Sequence, residues 1–271
     1  MDRLGMIAGN GKFPLVFCEE AARLGIRVTA IAHEGESLPE LEKAVDRIHW
    51  VKVGQLGKIM EHLKAEGLRD VVLLGGIRKT RLFSGARPDL RGAALLLRVR
   101  NNRDDAVLRA IADEMNREGI FVHSAMEIVP SLAVEKGVLT RRHPSPKESE
   151  DAEEAFKVAK EIGREEIGQC VVIKDRVVTA VEAVEGTDET IRRGGRLARE
   201  GAVVVKVSKP GQDLRFDAPA IGPMTIAVMA EVRAKVLGLE AGRTLLLDRT
   251  ATLLAANRAG IAIVGMSAPD G

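Results

Sequence analysis

Met6-Ile7-Ala8-Gly9-Asn10-Gly11-Lys12-Phe13-Pro14 takes the chain from an apolar run, through a glycine turn, into a helix start. The run predicts a short buried strand that ends at Gly9. Two glycines permit a tight turn and let backbone approach a ligand without a Cβ in the way. Pro14 suits the first turn of the following helix. Amides at such a start face whatever binds there and favour phosphate. The same residues also read as a plain tight βα turn. The dinucleotide fingerprint G-x-G-x-x-G is only half met. Gly9 and Gly11 fill two places, and Pro14 stands in the third. Glu34, after the second strand Arg27–Ala32, is placed as a ribose-binding acid would be.

Outward from this turn, strands and helices alternate. Strands are expected at Leu4–Ala8, Arg27–Ala32, Arg47–Val53 and Asp70–Leu74. Helices are expected at Phe13–Leu24, Gly57–Ala65 and Asp105–Glu118, with a last strand at Phe121–His123. This spacing predicts βαβ units, hence a Rossmann-like α/β domain with a parallel sheet over residues 1–130. Gly9 and Gly11, Gly54 and Gly57, and Gly75 and Gly76 stand at the strands' carboxyl ends. Each alone reads as a turn glycine; together on one edge they favour a cleft.

The pattern breaks over Pro130–Pro146, where Arg141-Arg142-His143-Pro144-Ser145-Pro146 reads as an exposed connector. A second α/β domain is expected over 131–271. It opens with a charged helix, Lys147–Ile162, followed by strands Gln169–Ile173 and Val177–Val184. Next come a helix from Thr187, a strand Ala202–Val207 and a helix from Thr225 to Leu237. A strand Thr244–Leu247, a helix Arg249–Ala259 and a strand Ile261–Met266 complete it.

Composition narrows the function classes. The 271 residues are 45% hydrophobic, with a net charge of +2, so bulk charge does not suggest nucleic acid. Tyrosine is absent and aromatics make up 3%, which removes the stacking platforms of a single-strand binder. Cys18 and Cys170 lie far apart, with no Cys/His cluster to hold zinc. A reduced, cytoplasmic setting fits this usage. No leader or membrane span is expected, since the apolar stretches are strand-sized.

Three acidic segments sit where regular structure ends. In Glu185-Gly186-Thr187-Asp188, Glu185 is read as closing a strand and Thr187 as a helix N-cap; Asp188 then serves the helix dipole or a site. Asp105 and Arg109 form an i,i+4 pair at a helix start. Asp217 lies in Arg215-Phe216-Asp217-Ala218-Pro219-Ala220-Ile221-Gly222, among apolar neighbours. A carboxylate buried without purpose is costly, so the setting marks a candidate site. Lys206 and Lys209, just upstream, suit a phosphorylated substrate or a plain surface. Between Arg78 and Arg103 there are eight Lys/Arg and one acid, Asp89, around Ala93–Leu97. This stretch reads as a lipid-facing element or as a core helix with solvated basic flanks.

Taken in order, these segments resemble the LpxI-type UDP-2,3-diacylglucosamine pyrophosphatases of lipid A biosynthesis. The carriers are Leu4–Pro14, Gly54–Lys58, Asp104–Arg109, Glu161–Gly163 through Ile167–Gln169, Glu182–Asp188, Lys206–Pro210 and Asp217–Gly222. Asn10 and the Gly75-Gly76-Ile77-Arg78 loop depart from the usual pattern. The resemblance implies magnesium-dependent hydrolysis of UDP-2,3-diacylglucosamine, with water attacking the uridine-side phosphorus. UMP and 2,3-diacylglucosamine 1-phosphate are the implied products. It also implies two α/β domains with a ligand cleft between them, a homodimer, and peripheral contact with lipid at the cytoplasmic face of the inner membrane. The family's essential aspartate carries over to Asp217. Asp188 and Asp105 are the further metal candidates. Gly9, Asn10, Gly11, Thr187, Lys206 and Lys209 are expected to bind substrate. A nicotinamide-dependent oxidoreductase and a non-catalytic sugar-nucleotide binder are the alternatives.

Overall fold

The computed structural model describes residues 1–78, 88–99 and 104–267, the side chains of Asp104 and Asp105 excepted. Half of the basic Arg78–Arg103 stretch and the Asp105 carboxylate therefore lie outside the described residues. The chain divides into two units, 1–130 with 213–216, and 131–212 with 217–271. Each is an α/β unit.

In the first unit β1 (Arg3–Ala8), β2 (Arg27–His33), β3 (Arg47–Val51), β4 (Asp70–Leu74) and β5 (Phe121–His123) form one sheet, ordered β3-β2-β1-β4-β5. Every pairing is parallel. Helices α1 (Phe13–Arg23), α2 (Leu56–Ala65), α3 (Leu90–Arg98), α4 (Asp104–Arg117) and the short α5 (Ala125–Ile128) connect or follow the strands. A parallel sheet is covered on both faces, so its strands carry continuous apolar runs. β1 buries Leu4 to Ala8 accordingly. Ile31, Val71, Leu63 and Met115 form a core beneath α2 and α4, and α1 brings in Phe17, Cys18 and Ala21.

The second unit holds β6 (Gly137–Val138), α6 (Pro146–Arg164), β7 (Cys170–Lys174), β8 (Val177–Val181), α7 (Thr187–Ala198) and β9 (Val203–Lys206). Beyond these come β10 (Ala220–Ile221), α8 (Pro223–Glu231), β11 (Val236–Glu240), β12 (Leu245–Leu246), α9 (Arg249–Ala259) and β13 (Ala262–Met266). The main sheet runs β6-β13-β11-β9-β7-β8, parallel from β13 to β9 and antiparallel outside them. Ser145 and Glu148 form a capping box that starts α6. That helix lays Ala152, Ala155, Phe156 and Ala159 on Val171, Ile173, Val203 and Val205. α7 and α8 cover the other face through Ile191, Ile226 and Met229.

Two expectations fail here. The helix from Thr225 does not reach Leu237: α8 stops at Glu231, and Val236–Glu240 is the strand β11 between β13 and β9. Arg233 makes the stop at φ 54°, and Ala234 N–H closes back on the Met229 carbonyl at 3.0 Å. Glycine usually fills such a left-handed position, so the arginine gave no signal. The 141–146 stretch is not a link between the units. It lies within the second, where Arg142 makes two bonds to Glu148 (2.6 and 2.8 Å) and one to the Lys235 carbonyl. Among the described residues no helix is long and apolar enough to cross a membrane.

Candidate active site

At the carboxyl end of β1 the turn is largely self-satisfied. Gly9 N–H donates to the Leu74 carbonyl at 2.8 Å and Asn10 N–H to the Gly76 carbonyl at 2.7 Å. The amides of Gly11, Lys12 and Phe13, at the start of α1, have no acceptor among the described residues. A Cβ on Gly9 would stand 2.3 Å from the Gly76 oxygen, and one on Gly75 2.3 Å from the Asn10 oxygen. These glycines let two loops join between β1 and β4. Gly57 has a similar explanation, since its N–H donates to Asp89 Oδ2 at 2.7 Å. Asp89 also caps α3 through Gly92 N–H, so one carboxylate serves two helix starts.

Beside the turn, Glu36 is buried. It accepts from Asn10 Nδ2 (3.1 Å), Arg78 N–H (3.0 Å) and Arg78 Nε (3.0 Å). Burial pushes its carboxyl up. The Arg78 amide, Asn10 and the Arg78 guanidinium outweigh that and hold it below the usual glutamate range. A cavity of about 630 Å³ opens here, with Gly11, Glu34, Trp50 and Arg78 in its wall.

In the second unit, predicted residues gather at the end of β9. Lys206 is buried and pairs across the sheet with Cys170. Its Nζ donates to the Ala220 carbonyl at 3.2 Å, and no carboxylate of a described residue lies within ion-pair distance. Asp188 accepts from Thr225 Oγ1 at 3.2 Å, which ties the start of α7 to that of α8. Glu182 accepts from Thr187 Oγ1 (2.8 Å) and Gln169 N–H (3.0 Å). Glu182, Lys206 and Asp188 all act on the Cys170 thiol, which burial first and Glu182 next push up to about 12.

Two local readings change. Gly186, at φ 83°, is the N-cap of α7, and Thr187 is its first residue, turned back to Glu182. Glu185 does not close a strand: β8 ends at Val181, and Glu185 sits in the following turn, paired with Arg193.

Asp217 is exposed, so the burial argument for it does not hold. Its Oδ2 accepts from Gln212 Nε2 at 2.7 Å, and Gln212 Oε1 accepts from Lys209 N–H at 2.8 Å. Gln212 thus joins two predicted residues, Lys209 and Asp217, in one loop. Gln212 carries no signal of its own in the sequence. Lys209 Nζ reaches Glu166 at 3.1 Å. The loop's root is fixed by buried Glu240, which accepts from Ser208 N–H and Oγ (both 2.8 Å) and from Lys160 Nζ. Glu240 closes β11, the strand missed from the sequence.

Among the described residues no three His, Cys, Asp or Glu gather as metal ligands. Asp217 Oδ1 accepts no bond from a described residue. Magnesium is satisfied by one or two carboxylates when waters and substrate phosphates complete its shell. The donor set therefore fits a magnesium ion shared with a phosphorylated ligand, and not a preformed protein cage.

Residues 3–132 match the LpxI N-terminal domain and residues 135–264 the LpxI C-terminal domain. The chain belongs to the LpxI family. Within it, the UDP-2,3-diacylglucosamine pyrophosphatase LpxI of Caulobacter vibrioides is 36% identical over 279 residues, covering 98% of each chain. Both the β1 turn and the Lys206–Asp217 loop fall inside the LpxI matches. Two solved structures are distantly alike. One is the biotin carboxylase domain of the Hydrogenobacter thermophilus 2-oxoglutarate carboxylase (17% identity, TM-score 0.28, 65% of this chain and 35% of that one). Rhizobium etli pyruvate carboxylase is another (13%, TM-score 0.30, 63% of this chain and 15% of that one).

Proposed function

We propose that this chain hydrolyses UDP-2,3-diacylglucosamine to UMP and 2,3-diacylglucosamine 1-phosphate. The observation that carries the reading is the 36% identity to a pyrophosphatase of that substrate over nearly the whole of both chains. In the reaction a water oxygen bonds to the uridine-side phosphorus. The bond from that phosphorus to the bridging oxygen breaks, and the bridging oxygen leaves with the sugar phosphate. Magnesium, when bound, neutralises charge on the diphosphate oxygens.

The residues take roles their chemistry suits. Asp217 is the catalytic group: Gln212 holds one carboxylate oxygen, and the other is available to the metal or the attacking water. Asp188 and Asp105 are the further carboxylates that would contact magnesium. Lys206 and Lys209 bind the diphosphate, and a buried lysine with one carbonyl partner is well matched to an incoming anion. Thr187 orients the phosphate from the start of α7, and Gly9, Asn10 and Gly11 contact the nucleotide. The protein works as a homodimer in the cytoplasm, at the inner membrane's inner face. Exposed Leu90 and Leu97 beside exposed Arg98 on α3 support the lipid contact. The half-met glycine fingerprint and the bonded amides of Gly9 and Asn10 give no support to a nicotinamide enzyme.

The test supplies UDP-2,3-diacylglucosamine in ¹⁸O-labelled water, with and without magnesium. Magnesium-dependent UMP carrying the label is expected. Label in the sugar phosphate would overturn the side of attack, and absence of UMP would overturn the reaction.

A further inference from the structure

We infer that the cavity beside the β1 turn receives the nucleoside 5′-monophosphate half of the substrate, with Glu34 reading the ribose hydroxyls and Trp50 facing the base. The inference rests on the hydrolase reading for the identity of the nucleotide, and on the first unit alone for the site.

The wall of the cavity carries both donors for an anion and an acceptor for hydroxyls. The Gly11 amide has no acceptor among the described residues. Arg78 donates Nε to Glu36 and Nη2 to the Gly35 carbonyl at 2.6 Å, leaving Nη1 without a partner among the described residues. That guanidinium is held in place before any ligand arrives, and its charge is only partly answered by the buried Glu36. These are donors for a phosphate monoester. Glu34 is different: it is exposed, and its carboxylate bonds to no described residue. A free-phosphate site would not keep an unpaired carboxylate in its wall. A ligand with vicinal hydroxyls would use it, as a ribose does. Trp50 is half-buried, and its Nε1–H is tied to Glu42 at 3.1 Å, so the indole is fixed in the wall. Leu38 and Pro39 complete an apolar side against which a base can lie. At about 630 Å³ the cavity falls in the range of small-molecule sites.

The closing of the β1–β4 crevice sharpens the point. Ligands of open parallel sheets gather where the strand order reverses, which here is at β1. Gly9, Gly75 and Gly76 fill that crevice with backbone. The free space is therefore displaced toward β2 and β3, where Glu34 and Trp50 stand.

Trp50 is the only tryptophan in the chain and reports on the site directly. Titration with UMP is expected to change its emission saturably. Glu34→Gln removes a charged acceptor that bonds to no described residue, and should weaken UMP about tenfold. It should weaken 2′-deoxy-UMP, which keeps one of the two hydroxyls, by a smaller factor and leave the thermal midpoint unchanged. Unaltered emission with UMP, together with an unchanged KM in Glu34→Gln, would overturn the site while hydrolysis by the wild type left the proposed function standing. Equal binding of UMP and 2′-deoxy-UMP by the wild type would overturn the role of Glu34. UMP binding without hydrolysis of UDP-2,3-diacylglucosamine would sustain the site and remove the hydrolase reading.

Discussion

At the β1 turn, Gly9 and Asn10 give their amides to Leu74 and Gly76, and backbone packs where side chains would stand. At the end of β9, among the described residues, buried Lys206 has the Ala220 carbonyl as its one partner, and exposed Asp217 has one carboxylate oxygen without a donor. Both segments end strands, and both belong to the residues that carry the family likeness. The first has most of its polar groups answered from within. The second keeps charge in places where the fold alone gains little from it. Sequence likeness alone does not separate residues that keep a turn closed from residues that keep chemistry ready.

Substitution should split the two regions. Gly9→Ala drives a Cβ to 2.3 Å from the Gly76 oxygen. We expect a loss of about 3 kcal/mol of stability, as for severe overpacking, read as a lower urea midpoint. A wild-type midpoint would break the account of the turn. Lys206→Met should do the opposite. Replacing a poorly paired buried charge by an apolar chain is neutral or stabilising by about 1 kcal/mol. Hydrolysis should fall about a hundredfold, through lost charge stabilisation. A large drop in midpoint with activity retained would make Lys206 a structural residue.

The smallest effect concerns pH. Burial holds the His33 ring below its ordinary value of 6.5, against the pull of the Ala8 carbonyl bonded to Nδ1 at 2.8 Å. As pH falls through 6.5 the unfolded chain takes up a proton that the folded one resists, so stability declines on the acid side. The urea midpoint should drop between about pH 7.5 and about pH 5.5, and less so in His33→Gln. An identical slope in the variant would remove His33 from the account.

How much could be read beforehand follows the same division. Strand–helix alternation gave the parallel sheet, because apolar runs of strand length between amphipathic helices have few other solutions. β11 was hidden because the left-handed turn that follows α8 is made by Arg233 and not by a glycine, and the apolar residues run on without a breaker. The edge glycines looked like ligand contacts because sequence shows a missing Cβ but not the neighbouring backbone that needs the gap. Asp217 was singled out for burial that the fold does not give it. Gln212, Glu240 and Lys160 went unread, since their value lies in bonds across 5 to 80 positions of chain.

The central claim is that catalysis resides in the loop bearing Asp217, and the direct measurement is UMP release from UDP-2,3-diacylglucosamine by Asp217→Asn with magnesium present. The substitution keeps the side chain's size and the Gln212 contact. The account predicts a wild-type thermal midpoint and a fall in turnover of about 10²–10³-fold. Turnover near that of the wild type would contradict it.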